Sequence, residues 1–462
     1  MTDPSDAGGP DSVAGDTAAL LATARAIAAQ AAPGEEIDVM VSRGASTSVK
    51  VHDGEVESYT SSRSAAVGIR VIRDHRQGFA HAGSLDPDVV AATLADARDN
   101  VAYGEPDDCY GLTAPDGVAP TLHDHWRDDA LQLSADDRVG RALALERAVR
   151  GADARIAGVR TTSWSDGWGV VAYAASNGTS VAERGTSCGL GCQPLAVEGD
   201  ETQIGYAGDS ARSHGDLDDE RVVREAVDRA TRLLGARQPA SMRMPIVLEP
   251  RLAATLLGIV SGMLDGESVL KGRTPFAGRV GEQVASPLLT LVDDPTAAGS
   301  LAASTWDAEG LACRRTPLVE GGVLSGFLDN GYTGRRRGVP STASAVRSAR
   351  SLPGVGAQVL VIDGGAGTHA DLLAGAGDAL FVASFAGLHS GVNPVSGDFS
   401  VGADGLMVRG GELAEPVREI TIASSLQRLL LDVTAVGGDG EWLPSGDFVP
   451  TLVIADVAVG GA

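Results

Sequence analysis

Few side chains in this chain of 462 residues sit at spacings that could do chemistry. His123-Asp-His125 would put two imidazoles on one face of an extended segment, half of a metal site. Two ligands without a third do not close a site, and the pair lies in an Asp/Pro-rich stretch, so it reads as solvated loop. Cys188 and Cys192, on one extended segment, stand roughly 13 Å apart, beyond disulfide or shared-metal reach. They read as core or surface thiols. No Gly-x-Ser-x-Gly elbow supports a serine triad. Asp363-Gly-Gly-Ala-Gly-Thr lacks the Gly-Lys-Thr ending of a phosphate loop and reads as a turn.

Charge reverses sign in one place. The formal net charge is −24, yet from Asn330 to Ile362 there are five arginines, Arg335, Arg336, Arg337, Arg347 and Arg350, and no acid. A guanidinium fork suits a peptide carboxylate or an acidic patch on a partner. A solvated basic loop balancing surrounding acids is the competing reading. Asp398, in Ser396-Gly-Asp-Phe-Ser400, is a candidate acid or base, although aspartate after glycine is a common turn residue.

Length and composition set the frame for the elements that must hold these groups. The chain is long enough for two domains. The acidic balance opposes contact with nucleic acid or an anionic membrane. Lysine occurs only at Lys50 and Lys271, which says nothing about mechanism. No apolar run approaches a membrane span. Four cysteines agree with a reducing compartment, and the cytoplasm is the expected location. Residues 1–15, acidic and without an apolar core, are expected to be a disordered tail and not a signal peptide.

The predicted order is a helix from Asp16 to the Pro33-Gly34 breaker, then strands at Ile37–Val41, Thr47–Val51, Ala66–Ile72 and Gln77–Ala82. A helix over Asp86–Val101 follows, then a surface connection over Tyr103–Leu133 and a helix over Ala135–Arg150. Strands at Ile156–Ser165, Gly169–Ser176, Thr179–Thr186 and Gly189–Val197 come next, with Asn177-Gly178 as a hairpin turn, and a helix over Asp216–Leu234 closes this half. Gln238-Pro239 marks a boundary. Beyond it Pro245–Leu248 is a strand and Pro250 opens a helix. Glycine-separated strands follow at Leu288–Val292, Gly322–Leu328, Val359–Ile362, Ala379–Ser384, Gly405–Val408, Val417–Ile422 and Val449–Val459. The fold class is α+β with two domains. Residues 16–239 form a layered amino-terminal domain with antiparallel strands, and 240–462 a curled antiparallel sheet or barrel-like domain with few helices.

The stretch Pro245–Gly310, with PIVLEPRLAATLLGIVSGMLDGESVLKGRTPFAGRVGEQV, then LTLVDDPT, then STWDAEG, resembles the TldD/PmbA family of metallopeptidase subunits. YTGRRRGVPSTASA, Ser396-Gly-Asp-Phe-Ser400, Glu419-Ile-Thr-Ile-Ala423 and Val436-Gly-Gly-Asp extend the likeness. In that family's catalytic members a helix carries His-Glu-x-x-x-His, and a cysteine near the carboxyl terminus adds a ligand. Aligned on Leu256-Leu257 and Gly262, the three motif positions here are Gly258, Ile259 and Met263. The last cysteine is Cys313, and none of the eight histidines is followed by glutamate. The resemblance therefore implies a zinc-free, TldE/PmbA-type subunit with no catalytic residue and no metal of its own. Its expected partner is a zinc-bearing TldD-type subunit, or a second copy of the chain, enclosing a cavity in which small or unfolded peptides are cut. Tyr332, Arg335, Arg336, Arg337 and Asp398 are the positions expected to touch peptide or partner. The alternatives are a self-sufficient enzyme with non-zinc chemistry and a regulatory protein of the gyrase-modulator type.

Overall fold

The structure is a computed structural model that describes residues 10–462, with side chains from Asp16 onward. Helix α1 spans Pro10–Ala28. It starts before the expected Asp16, with proline in its first turn, where the missing N–H is no loss. Asp16 thus lies inside the helix and pairs with Arg43 at 3.1 Å instead of capping. Of the expected tail, residues 10–15 are helical and 1–9 lie outside the described residues.

Seven antiparallel strands form the first sheet: β1 (Glu36–His52), β2 (Glu55–Arg73), β3 (Arg76–Ala82), β4 (Ile156–Ala175), β5 (Ser180–Glu198), β6 (Glu201–Ile204) and β7 (Ala207–Ala211). Their order is β3-β2-β1-β4-β5-β6, with β7 also on β5. Pairs of strands expected to be separate are continuous, because the polar and glycine residues between them face one another. Ser42 pairs with Val171, Gly44 with Gly169 and Ser46 with Gly167. A Cβ on Gly44 would stand 2.8 Å from the Trp168 carbonyl oxygen, so this glycine marks close strand approach and not a turn. Asn177-Gly178 is the hairpin turn between β4 and β5, Gly178 having φ of 96°.

The period-two alternation gives this sheet two different faces. On one, Val39, Val41, Val67, Ile69 and Val71 take the apolar stripes of α1 and of α2 (Pro87–Asn100). Farther along the same face of β1, Val49 and Val51 meet α3 (Ala135–Ala152) and α4 (Asp219–Thr231) around the buried Trp164. The opposite face, carrying Asp38, Met40, Ala66, Gly68, Arg70 and Tyr173, receives the carboxyl-terminal half. Met40 and Ala66 pack there with Ala349.

In that half β8 (Met242–Leu248), β9 (Ala379–Ala386), β10 (Asp398–Arg409), β11 (Glu412–Ser425) and β12 (Leu452–Gly460) pair in the cycle β9-β8-β12-β11-β10-β9. The curled sheet closes into a five-stranded barrel in which only the β8–β9 pair is parallel. A second sheet of short strands includes Leu291–Asp293, Thr316–Glu320 and Leu360–Ile362. One core joins both, from Leu248, Leu256 and Val260 through Phe399 to Ile422 and Ile454.

The seam between the halves has no room to spare at Gly68, where a Cβ would fall 2.1 Å from the Ala349 carbonyl oxygen. Gly68→Val is expected to cost about 1–3 kcal/mol through overpacking against rigid backbone. Denaturant unfolding should show a lower midpoint for this variant and a smaller loss for the same change at Gly140, where a Cβ meets nothing within 4 Å.

Candidate functional site

Helix α5 (Pro250–Ser261) leaves β8 directly, with Pro250 in its first turn. Leu252, Ala253, Leu256, Leu257 and Val260 bury its inner face. Arg251, Ala254 and Thr255 form the outer face, which lines a cleft of about 490 Å³ against β4, β5, β7 and α4. Gly258 is exposed one turn farther along that face, and a Cβ there would meet nothing within 4 Å. Ile259 is half-buried against the core, and Met263, beyond the helix end, is 0% exposed inside it.

The three positions therefore do not converge on one point. Glycine offers no ligand, isoleucine no base, and a thioether sealed in hydrocarbon lacks the water-filled fourth position that a catalytic zinc needs. These residues do not fit zinc. Among the described residues no group of three or more His, Cys, Asp and Glu side chains is placed to hold a metal.

The cleft is polar and nearly balanced in charge. Arg221 reaches Asp209 at 2.6 Å and Glu225 at 3.1 Å, and Arg229 also reaches Glu225 at 3.1 Å. Arg251 donates to the Ala383 carbonyl at 3.0 Å and to Glu249 at 3.2 Å. Its Nε is buried without a partner, and burial pulls its pKa down. Solvent reaches Glu441 at the mouth, yet the surrounding protein, and then the Glu225 charge, push its carboxyl up.

The arginine segment does a different job from the open loop its charge suggests. Residues 331–337 form α6 (Gly331–Arg337), capped by Asn330. Tyr332 donates to Asp107 at 2.8 Å, and Arg336 to the same carboxylate at 3.0 Å. Arg335 donates to the Cys109 and Gly111 carbonyls at 2.8 and 2.9 Å. Arg337 pairs with Asp329 and lies over the Phe327 ring. Tyr332, Arg335 and Arg336 thus bind the connection from the amino-terminal half, and a peptide would have to compete for them.

Asp398 opens β10 and is exposed; its carboxylate accepts the Ser396 hydroxyl at 2.7 Å in a turn whose Gly397 has φ of 85°. His123 and His125 stack with centroids 5.1 Å apart, and His125 Nε2 lies 3.6 Å from Glu183. Burial, and then Arg212, lower the His125 pKa. Cys188 and Cys192 are buried free thiols pushed up to about 12 by burial, which removes them as nucleophiles at neutral pH.

Sequence reasoning missed the ionic cluster between the halves. Asp38 Oδ2 accepts from Arg70 Nε at 2.7 Å, and Oδ1 accepts from Arg347 Nη1 at 2.7 Å. Both arginine side chains are at most 4% exposed and Asp38 is at 0%. Burial alone would raise the Asp38 pKa, but Arg70 and then Arg347 outweigh it and hold the carboxyl below its usual range. Glu309 lies 4.0 Å from Arg70 and accepts from the Thr113 hydroxyl and the Gly331 amide, both at 2.8 Å. Its only sequence signal was Arg347 within the acid-free segment; the partner is 309 residues away.

A helix-faced sheet docked on a closed barrel, with α5 leaving β8 directly, is the architecture of a two-part α+β protein. Residues 37–101, 128–234 and 241–461 match the PmbA/TldA metallopeptidase domain 1, central domain and C-terminal domain, respectively. The chain belongs to the PmbA/TldD family. It is 29% identical to "Metalloprotease PmbA" of Escherichia coli O157:H7 over 91% of each chain. It is 25% identical to "Metalloprotease TldD homolog" of Haemophilus influenzae, over 89% of this chain and 90% of that one. The crystal structure of TldE from Thermococcus kodakarensis shares the fold, with a TM-score of 0.84 at 24% identity over 92% of this chain and 97% of that one. No helix among the described residues is long and apolar enough to cross a membrane.

Proposed function

We propose that this chain is the metal-free, non-catalytic subunit of a peptidase of TldD/TldE type, working in the cytoplasm with a zinc-bearing TldD-type chain. The observation that carries the reading is α5 itself: the helix and its cleft are kept, while the positions aligned with the ligands hold Gly258, Ile259 and a core Met263. The names "Metalloprotease PmbA" and TldE of similar proteins support the peptidase family of TldD/TldE type, while the metal-free role rests on the helix alone. In this reading the cleft over α5 forms part of the wall along which a peptide lies, with Arg221, Arg229 and Arg251 facing its carbonyls or acidic side chains.

The test is co-expression with a TldD-type chain from the same genome, followed by size-exclusion chromatography, metal analysis of each chain and peptide hydrolysis. The mixed assembly is expected to cleave peptide and to stop when a chelator is added, while this chain alone binds no zinc and cleaves nothing. Stoichiometric zinc on this chain alone, or chelator-resistant cleavage by it alone, overturns the assignment; the second result indicates chemistry of its own.

Thr255→Trp adds a large side chain on the cleft side of α5 without touching the core. It is expected to raise KM of the mixed assembly at least tenfold, with kcat changed far less. A kcat loss at unchanged KM would show that the cleft does not meet substrate.

A further inference from the structure

The cleft over α5 holds a charge imbalance that its arginines conceal. Three arginines line it, and each is already held by this chain. Arg221 is paired with Asp209 at 2.6 Å and with Glu225 at 3.1 Å, and Arg229 shares Glu225 at 3.1 Å. Arg251 donates to Glu249 at 3.2 Å and to the Ala383 carbonyl at 3.0 Å. Their remaining N–H groups can meet peptide carbonyls, but their charge is matched inside the chain.

Two carboxylates of the same cleft have no such match. Asp447 accepts the Leu360 amide and the Ser445 hydroxyl, both at 2.8 Å, and both donors are neutral. The side chain of Glu441 makes no ion pair and no hydrogen bond among the described residues. It stands on the short strand Glu441–Trp442, which pairs with Phe448–Val449 beside the cleft. Its carboxyl is close enough to Glu225, Arg221 and Arg229 to feel their charges. Burial, and then Glu225, raise its pKa, so the two arginines leave it without the cation that would favour its charged form.

An aromatic ring stands at the same place. Tyr206, in the turn between β6 and β7, is 55% exposed and lines the cleft. Its carbonyl accepts from Arg229 at 3.1 Å, which ties it to the group around Glu225. The side chain lies over Gly191 and Gly208, where a Cβ would stand 3.4 and 2.8 Å from its hydroxyl oxygen, so only glycine leaves it room. An open tyrosine attracts cations and packs the hydrocarbon stem of a long basic side chain. An acidic side chain would instead add to negative charge that nothing in the cleft offsets.

We propose that the cleft over α5 selects peptides with a basic side chain, lysine or arginine, its cation on Glu441 and its stem along Tyr206. This rests on the reading of the cleft as a peptide surface and adds which peptide it takes. The arginines then face main-chain carbonyls, and Glu441 is the residue that sets specificity.

The probes are three short Gly/Ser/Ala peptides with a neutral fluorophore and a central lysine, norleucine or glutamate, titrated into the full chain by fluorescence anisotropy at low salt. Norleucine keeps the stem and lacks the charge. The lysine peptide is expected to bind about threefold more tightly than the norleucine peptide, or better, and the glutamate peptide more weakly than either. Glu441→Gln alters a carboxyl that bonds to nothing, so the variant should fold and lose the lysine advantage. Thr255→Trp, which fills the cleft, should weaken all three peptides and so separates the cleft from diffuse attraction to a chain of net charge −24. No binding, equal affinity for the lysine and norleucine peptides, a lysine advantage that survives Glu441→Gln, or full binding by folded Thr255→Trp overturns the proposal. Hydrolysis of all three peptides by the mixed assembly without lysine-selective binding would sink this inference alone. Lysine-selective binding without any hydrolysis would count against the peptidase reading and leave the selectivity standing.

Discussion

Asp38→Ala is expected to be among the most damaging single changes in this protein, costing about 3–5 kcal/mol. The carboxylate joins Arg70 of the sheet to Arg347 of the barrel half at 2.7 Å each, with none of the three side chains more than 4% exposed. Alanine would leave two guanidiniums buried with only Glu309 near, 4.0 Å from Arg70. The loss comes mainly from stranded charge and not from the attraction itself, since taking ions out of water offsets most of what pairing returns. A quadruple variant, Asp38→Leu with Arg70→Met, Arg347→Met and Glu309→Gln, removes the charges together, Glu309 being 1% exposed beside Arg70, and should recover most of the stability. Guanidinium unfolding of the three proteins checks this: equal loss in the single and quadruple variants would mean that packing at the seam, not charge, governs the effect.

Local chemistry was readable where it decides structure alone. Pro250 after a β-run announced α5, and Asn177-Gly178 announced its hairpin. The long strands were misread as pairs because Ser42–Ser46 and Gly167–Gly169 look like turns in isolation. Their meaning lies in each other, as facing positions across β1 and β4. That glycine, isoleucine and methionine stand at the aligned motif positions was equally legible, since it depends on residue type alone. That Met263 joins the core while Gly258 faces solvent depends on where the helix ends, which spacing does not reveal.

Arginine is where sequence helped least. Five guanidiniums without a neighbouring acid suggested an open basic surface, yet Arg335 and Arg336 clasp the connection around Asp107, Arg337 folds back on Asp329, and Arg347 is buried on Asp38. All these partners except Asp329 are more than two hundred residues away in the chain, so local charge counting could not find them. The segment reads as basic because its counterions belong to the other half. Its positive charge therefore says more about how the halves are joined than about any external ligand, and of the five only Arg350 is an exposed arginine whose side chain does not take part in that joining.

Asp293→Asn is expected to stabilise the protein at alkaline pH and to flatten its stability against pH. Asp293 is 1% exposed, and burial pushes its carboxyl up to about 7, with the Asp294 and Asp447 charges adding to the effect. Asp307 is pushed up to about 7 as well, by burial and then by Glu309. A carboxyl with a raised pKa binds its proton more tightly in the folded chain than in the unfolded one. Its stabilising contribution is therefore complete below the ordinary value near 3.8 and is lost as pH rises toward about 7. For Asp293 the full swing is on the order of 4 kcal/mol. His125, lowered by burial, works in the opposite direction as pH falls through its ordinary 6.5, so the single substitution is what isolates the acid. Oδ1 of Asp293 accepts both the Gln358 and the Val359 amides at 2.8 Å, and asparagine keeps that oxygen while removing the titration. Unfolding midpoints at pH 5 and pH 8 should differ less in the variant than in the parent, with the gain concentrated at pH 8. A variant weakened equally at both values would mean that the second carboxylate oxygen makes a bond that an amide cannot replace, and that Asp293 is held ionised despite its burial.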